Sequence, residues 1–371
     1  MSRDQTNFMK TNIQNISTFK VAAAYIGTVV GAGFASGQEV LQFFSFFGIT
    51  GIIGLILSMI LFVFFGFIIL DLGRRLGADS HQQVIRYAGG RWIGSVVDGI
   101  ITFFLFGALT AMAAGAGAIF QEQFGIPHLA GSLLLVVATA LTVLLGISGV
   151  ITAISYVVPV MLVSVLAIAV ATFVISPIDF AAVNQWAQAN RAPVPFWAFS
   201  AIIYVSYNLV LGVSVLAPLG KYVDDPKIIQ KGALYGGLGL GVGALIINLT
   251  LLANVPGVSR FEVPMVAIAA QFSPAIMIGY SIILLAEIYT TAVGSLFGFA
   301  ERISDQGKPM FKWIVIGTCV VAFAAGQLGF STLVRVLYPA VGYAGLLMLG
   351  GLLFGYARER LVPQPAFKPK K

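Results

Sequence analysis

The chain holds one cysteine, Cys319, and two histidines, His81 and His128. A lone thiol excludes an intrachain disulfide and a thiolate metal cluster, and two histidines placed in separate loops leave no basis for a histidine metal site or a histidine-activated nucleophile. Charge is also scarce, at 9% of 371 residues, where a soluble chain carries roughly 25%. The polar stretches between apolar runs are all short, so no soluble catalytic or sensory domain is expected. Segments of alternating polarity, the mark of a transmembrane β-barrel, are missing as well. The first 17 residues, MSRDQTNFMKTNIQNIS, are polar and lead into a long apolar run with no small-residue cleavage site, so no secretory leader is expected.

What is present is 58% hydrophobic residues, grouped in runs of the roughly 20 residues an α-helix needs to cross a bilayer. Breaks between the runs place ten spans, near residues 18 to 47, 50 to 73, 92 to 120, 130 to 147, 150 to 175, 195 to 219, 232 to 254, 274 to 302, 311 to 330 and 333 to 356. The formal charge of +7 admits a nucleic-acid partner until its distribution is considered. Eighteen of the 21 lysines and arginines fall on the side of the two termini, leaving only Arg191, Arg260 and Arg335 for the other. This bias puts both termini in the cytoplasm and makes the lipid bilayer, not nucleic acid, the partner that the charge reports. Short helices are expected in the loops at 80 to 91 on the inner side and at 261 to 274 on the outer surface, with Trp186 of the 176 to 194 loop at the interface.

Ten spans divide into five and five, residues 18 to 175 and 195 to 356, between a polar head (1 to 17) and a basic tail (357 to 371). An odd number of spans per half sends the second half in from the opposite side, the inverted repeat by which many secondary transporters set a site between two discontinuous helices. The first helix of each half is the candidate for a break. "GTVVGAGFASGQE" (27 to 39) sets four glycines within eleven residues and follows them with Ser36, Gln38 and Glu39. Glycines four apart also serve close helix packing. The polar turn that follows them favours a break over residues 30 to 34. The sixth span matches this depth with Tyr204, Ser206, Tyr207, Asn208 and Gly212.

The stretch "AAAYIGTVVGAGFASGQEVLQFF" resembles the first helix of YkvI-type bacterial membrane proteins, a group in the amino acid, polyamine and organocation superfamily with the LeuT fold. The resemblance implies an all-α integral membrane protein of about ten helices in a 5+5 inverted repeat, with helices 1 and 6 broken. Sodium-coupled members carry a G-x-x-V-G-x-G core, here Gly27, Val30, Gly31 and Gly33. The family implies that the Gly27 and Val30 carbonyls face a cation while Val29, Gly31, Ala32 and Gly33 border the solute. It also implies a hydroxyl pair on the eighth helix for the same Na⁺, and "LAEIYTTAVGSLFGF" supplies Thr290 and Thr291. Thr28 and Phe34 stand where sodium-coupled amino-acid transporters often have asparagines, which argues against a second sodium held through the solute's carboxylate. Tyr207 and Asn208 join the solute site by depth alone.

Two carboxylates, Glu39 and Glu287, sit deepest in the spans, where a central acid costs roughly 2.5 to 3.5 kcal/mol and needs a partner or a purpose. Glu287 shares a helix face with Thr290, Thr291 and Gly294, so it is a candidate for coordinating Na⁺, exchanging a proton or pairing with an amine. Glu39 is a candidate for an outer gate with Arg260 or Arg335. For both, the plainer role is a structural acid bonded to backbone donors. Asp71 and Asp98 are expected to pair with Arg74, Arg75 or Arg91. Together these features predict a cation-coupled secondary transporter, with Na⁺ favoured over H⁺, for a small solute such as an amino acid or related amine. The alternatives are a sensor that binds the solute without moving it, or a channel. No enzyme activity and no cofactor beyond the coupling ion are expected.

Overall fold

The computed structural model describes residues 16 to 145 and 148 to 361, with only the backbone described at 148 to 156 and 359 to 361. Most of the polar head and basic tail, including Arg3, Lys10, Lys368, Lys370 and Lys371, lies outside the described residues. The described chain is helical, with no strand.

Nine of its helices are long and apolar enough to cross a membrane. They are α4 (Ile49–Leu76), α5 (His81–Phe124), α6 (His128–Leu145), α7 (Ser148–Ile175), α9 (Trp197–Lys221), α10 (Pro226–Leu252), α12 (Pro274–Ile303), α13 (Pro309–Gly326) and α14 (Phe330–Leu361). The first of the ten expected spans escapes this criterion because it is in pieces: α1 (Thr18–Val29), α2 (Ala32–Ala35) and α3 (Gln38–Phe43), then a 3-10 turn at Ser45–Phe47. Two short helices, α8 (Phe180–Ala189) and α11 (Pro264–Phe272), complete the order.

Local chemistry explains the boundaries. Asp225 caps α10 by accepting from the Lys227 N–H at 2.8 Å, with Pro226 in the first turn. Ser273 and Pro274 start α12 in the same way. Gly77 and Gly125, both left-handed, end α4 and α5. The expected short helix before span three exists as the first part of α5, set off from the rest by Gly90 at φ 84°. Both histidines begin helices instead of lying in loops.

The contacts have the symmetry of an inverted repeat. Span two packs on span six, and span seven on span one; span three packs on span ten, and span eight on span five; spans two and seven, and three and eight, pack on their own counterparts. Each pairing maps onto another when a span is exchanged for the one five places along. Spans two and six touch backbone to backbone: a Cβ on Gly73 would lie 2.1 Å from the Ala217 carbonyl oxygen, and one on Gly220 would lie 2.2 Å from that of Leu70. This is the close approach that small residues permit in a membrane bundle.

Three expectations need correction. The sixth span is one continuous helix from Trp197 to Lys221. Its polar residues are satisfied without unwinding, since the Asn208 amide donates to the Tyr204 carbonyl at 2.9 Å and the Ser206 hydroxyl to the Gly342 carbonyl at 2.7 Å. Helix α11 does not lie on the outer surface; Pro264 through Ala269 are buried, because it packs on spans eight and five while its first turn meets the first span at Ser36 and Gly37. Asp71 does pair with Arg74 and Arg75, but Asp98 pairs with Arg302 of span eight at 2.6 Å, with His81 also in reach at 3.2 Å.

Candidate functional site

The first span opens where its glycines begin to cluster. The helical ladder runs as far as the Val30 N–H, bonded to the Ile26 carbonyl at 2.8 Å, and resumes with the Ala35 N–H on the Gly31 carbonyl at 3.0 Å. Val30 (φ −71°, ψ 117°) and Gly31 (φ −139°, ψ −173°) are extended, so the carbonyls of Gly27, Thr28 and Val29 end a helix without intrahelical donors. The break is shorter than expected, because Ala32–Ala35 forms a helical turn. A second interruption follows at Ser36 and Gly37, where Gly37 takes φ 80° and frees α3 to change direction. Ser36 stabilises that turn by donating to the Gly33 carbonyl at 2.8 Å and accepting from the Gln38 N–H at 3.2 Å.

Beside the break lies a cavity of about 400 Å³. Every site residue singled out in the sequence lines it: Gly27, Val29, Val30, Gly31, Ala32, Gly33 and Glu39 from the first span, Tyr207 and Asn208 from the sixth, and Glu287, Thr290 and Thr291 from the eighth. Span three adds Phe104, Ala108 and Met112, and span ten adds Tyr338. Phe104, Tyr207 and Tyr338 touch edge to face, with ring centroids 5.1 to 6.0 Å apart. Phe104 and Tyr338 were not found by sequence reasoning. An aromatic ring in an apolar run looks the same whether it faces lipid or a cavity.

The two acids differ sharply. Glu39, 6% exposed, accepts the Tyr207 hydroxyl on Oε2 at 2.5 Å. Its Oε1 lies so close over Gly33 that a Cβ there would meet it at 1.9 Å, so residue 33 must be glycine while Glu39 holds this pose. The expected arginine partners are engaged elsewhere, Arg335 on the Arg191 carbonyl at 2.9 Å and Arg260 over the Phe261 ring at 5.1 Å. Glu39 therefore bonds a tyrosine of the sixth span, not an arginine of the loops. Glu287, 3% exposed, lines the cavity with its buried Oε2 lacking any hydrogen-bond partner among the described residues.

Thr290 donates to the Glu287 carbonyl at 3.0 Å, which spends its proton and leaves its lone pairs available. Thr291 stands across from the break, its Oγ1 3.9 Å from where a Cβ of Gly31 would be. The oxygens assembled here are hard donors of the kind an alkali cation accepts. Among the described residues no group of three or more His, Cys, Asp and Glu gathers to hold a metal ion.

The cavity is open at one end. Chain direction puts Thr28, Leu211, Ser214, Thr291 and Gly294 toward the side of the termini, and all are at least partly exposed. Every residue from Ala32 to Ser45, on the far side, is buried. Three contacts seal that side: the Tyr280 hydroxyl on the Ala35 carbonyl at 2.6 Å, the Met265 N–H on the Ser36 carbonyl at 3.0 Å, and the Glu262 carboxylate accepting the Phe330 N–H at 2.6 Å.

No family model matches the chain. Two curated relatives do, both from Bacillus subtilis (strain 168). The membrane protein YkvI is 30% identical over 93% of this chain and 97% of its own length, and the protein YyaD is 28% identical over 88% of this chain and 94% of its own. Among solved structures, the inward-facing conformation of Mhp1 has a TM-score of 0.69 at 16% identity, covering 94% of this chain and 78% of that one. The closed, ligand-bound conformation of Mhp1, a nucleobase-cation-symport-1 family transporter, has a TM-score of 0.60 at 15% identity, covering 90% and 78%. MhsT in complex with L-phenylalanine has a TM-score of 0.62 at 17% identity, covering 88% and 87%. At these identities the likeness is one of fold, the LeuT fold.

Proposed function

The chain belongs to the YkvI family of bacterial membrane proteins, and from that premise we propose that it is a secondary transporter working by alternating access, with a small solute held in the cavity beside the broken first span. The observation that carries this reading is a cavity between spans one, three, six and eight, mostly apolar with a few carboxyl, hydroxyl and open backbone groups, that is open toward one side of the membrane and sealed toward the other. A channel needs both ends open together, whereas a carrier needs one end shut. Rocking of the first, second, sixth and seventh spans against the third and eighth would open the far side and close the near one.

In this reading the carbonyls of Gly27 and Val30 and the hydroxyls of Thr290 and Thr291 hold a coupling Na⁺, with a proton on Glu287 as the alternative driving ion. Val29, Gly31, Ala32, Gly33, Tyr207 and Asn208 border the solute, an amino acid or a related amine. The transporters among the structural neighbours, one of them a cation symporter by its family name, support this reading. Both termini lie in the cytoplasm on the strength of the basic-residue bias, which makes the cavity inward-open.

Reconstitution into proteoliposomes tests the proposal. With an imposed Na⁺ or H⁺ gradient, labelled solute should accumulate above its external concentration. Saturable binding without accumulation would leave a sensor, and flux that only equilibrates would leave a channel.

A further inference from the structure

Spans two and seven, α4 and α10, meet through glycines. A Cβ on Gly237 would lie 2.6 Å from the Val63 backbone nitrogen, and one on Gly241 would run into the Met59 side chain. Backbones held this close form a floor, and the larger side chains beside it, Phe64 and Phe67 on α4 and Leu234 and Leu238 on α10, rise from it as walls. Between the walls lies a groove of about 670 Å³, larger than the cavity beside the break. It faces away from the bundle, with Phe64 40% and Leu234 41% exposed. The inner face of the same seam is already filled by Tyr25, which packs against Gly66 and Gly236.

The groove has the depth of one leaflet. Helix α10 runs from Pro226 to Leu252, so Leu238 stands at its middle and Lys231 stands about 10 Å nearer the side of the termini. Half of a hydrocarbon core of about 30 Å is about 15 Å, so the groove starts at the bilayer centre and ends near the headgroups on that side.

Its two ends differ in polarity. The lining is apolar except at Gln230 and Lys231. Several cations on this side are matched with acids, Arg74 and Arg75 with Asp71, Lys221 with Asp79, and Arg302 with Asp98. Lys231 is exposed and makes no ion pair among the described residues. The acid nearest to it in the chain, Asp225, is turned to the start of α10, where it accepts the Lys227 N–H at 2.8 Å. An unpaired ammonium on a four-carbon stem, at the rim of a lipid-facing trough, reaches the headgroup layer.

We infer that this groove is a binding site for an anionic phospholipid of the leaflet on the side of the termini. One acyl chain lies between the phenylalanines of α4 and the leucines of α10, and the headgroup phosphate meets Lys231 and the Gln230 amide. Basic residues between spans on the cytoplasmic side select anionic headgroups in this way. A zwitterionic lipid offers the same phosphate but brings its own cation beside Lys231. A second copy of this chain fits less well. It would cover Lys231 without an acid to pair it, since the acids within the apolar parts of the spans, Glu39, Asp71 and Glu287, are buried in their own chain. The inference is independent of transport.

The test uses the purified full-length chain, stripped of lipid in detergent, with native mass spectrometry and thermal shift. The probes are dioleoylphosphatidylglycerol, dioleoylphosphatidylcholine and glycerol phosphate, the last being the headgroup without chains. One phosphatidylglycerol per chain should be retained, at a concentration about fivefold or more below that of phosphatidylcholine, and it should raise the melting temperature. Lys231→Gln should erase the preference between the two lipids, while Lys312→Gln, the same change of charge on another span, should keep it. Leu234→Trp fills the groove and should weaken both lipids by at least about tenfold through the methylenes it displaces. The melting temperature of each lipid-free variant reports whether it folds. The inference is overturned if the two lipids bind alike, if Lys231→Gln keeps the parent's preference, or if Leu234→Trp binds as the parent does. Glycerol phosphate matching the whole lipid would overturn it too, as would a dimer that Leu234→Trp dissociates.

Discussion

Replacing Tyr280 with phenylalanine removes one hydroxyl and keeps the ring. That hydroxyl, on span eight, donates to the Ala35 carbonyl in the first span at 2.6 Å and joins the two sets of helices on the sealed side. In the sealed state Tyr280→Phe forfeits the bond and leaves the buried Ala35 carbonyl without this donor, a loss of roughly 1 to 3 kcal/mol. In the state open to the far side, water reaches both groups and the loss is close to zero. The ratio of far-side-open to sealed protein should therefore rise by roughly 5- to 150-fold. A cysteine at Ala35, buried in the sealed state, reports this when Cys319 is first changed to alanine. Its labelling by a membrane-impermeant thiol reagent applied from the far side should quicken by the same factor in Tyr280→Phe. A rate unchanged within about twofold would refute the assignment of this bond to the seal.

Gly33→Ala puts a methyl group where the Glu39 carboxylate lies, so Glu39 must shift off its Tyr207 bond; uptake should fall by about tenfold or more, with a lower melting temperature from a loss of roughly 1 to 3 kcal/mol, and normal uptake would remove Glu39 from the site. Changing both Thr290 and Thr291 to valine keeps the shape and deletes two oxygens, so the Na⁺ dependence of uptake should collapse while protein yield holds. Wild-type Na⁺ dependence would return both threonines to bonding their own helix. Gly220→Leu forces a side chain into the Leu70 carbonyl and should cost at least about 1 to 3 kcal/mol, read as a lower melting temperature; an unshifted transition would contradict the backbone contact between spans two and six.

The parts of this molecule that were legible in the sequence are those written in short-range pattern. Apolar runs set the spans, and four close glycines followed by a polar turn marked the break. The same logic failed at the sixth span because polarity at mid-depth has two causes. Asn208 and Ser206 looked like signs of unwinding, yet they spend their donors on carbonyls of neighbouring turns and helices, which only coordinates reveal. Partner choice failed for a related reason. Glu39 was matched to arginines by charge, but its oxygen faces Tyr207, a group that sequence reasoning had assigned to the solute. Asp98 found Arg302, distant in sequence and adjacent in space. The burial of α11 was hidden because an amphipathic nine-residue helix reads the same on a membrane surface as over a bundle.

The interleaving of the two halves has a consequence for biogenesis. The ribosome delivers the weakest helix first, with its open carbonyls near Val30, while the oxygen and aromatic groups that shelter it arrive on spans six, eight and ten. At about 5 to 20 residues per second, the interval between Val30 and Glu287 lasts roughly 10 to 50 s. Through that interval the break faces lipid or the insertion machinery, with backbone groups that hydrocarbon cannot satisfy. The first five spans are thus half of a structure without being a unit of folding. Expressed alone, they should be cleared by membrane proteases, and co-expression of the second five as a separate chain should rescue them.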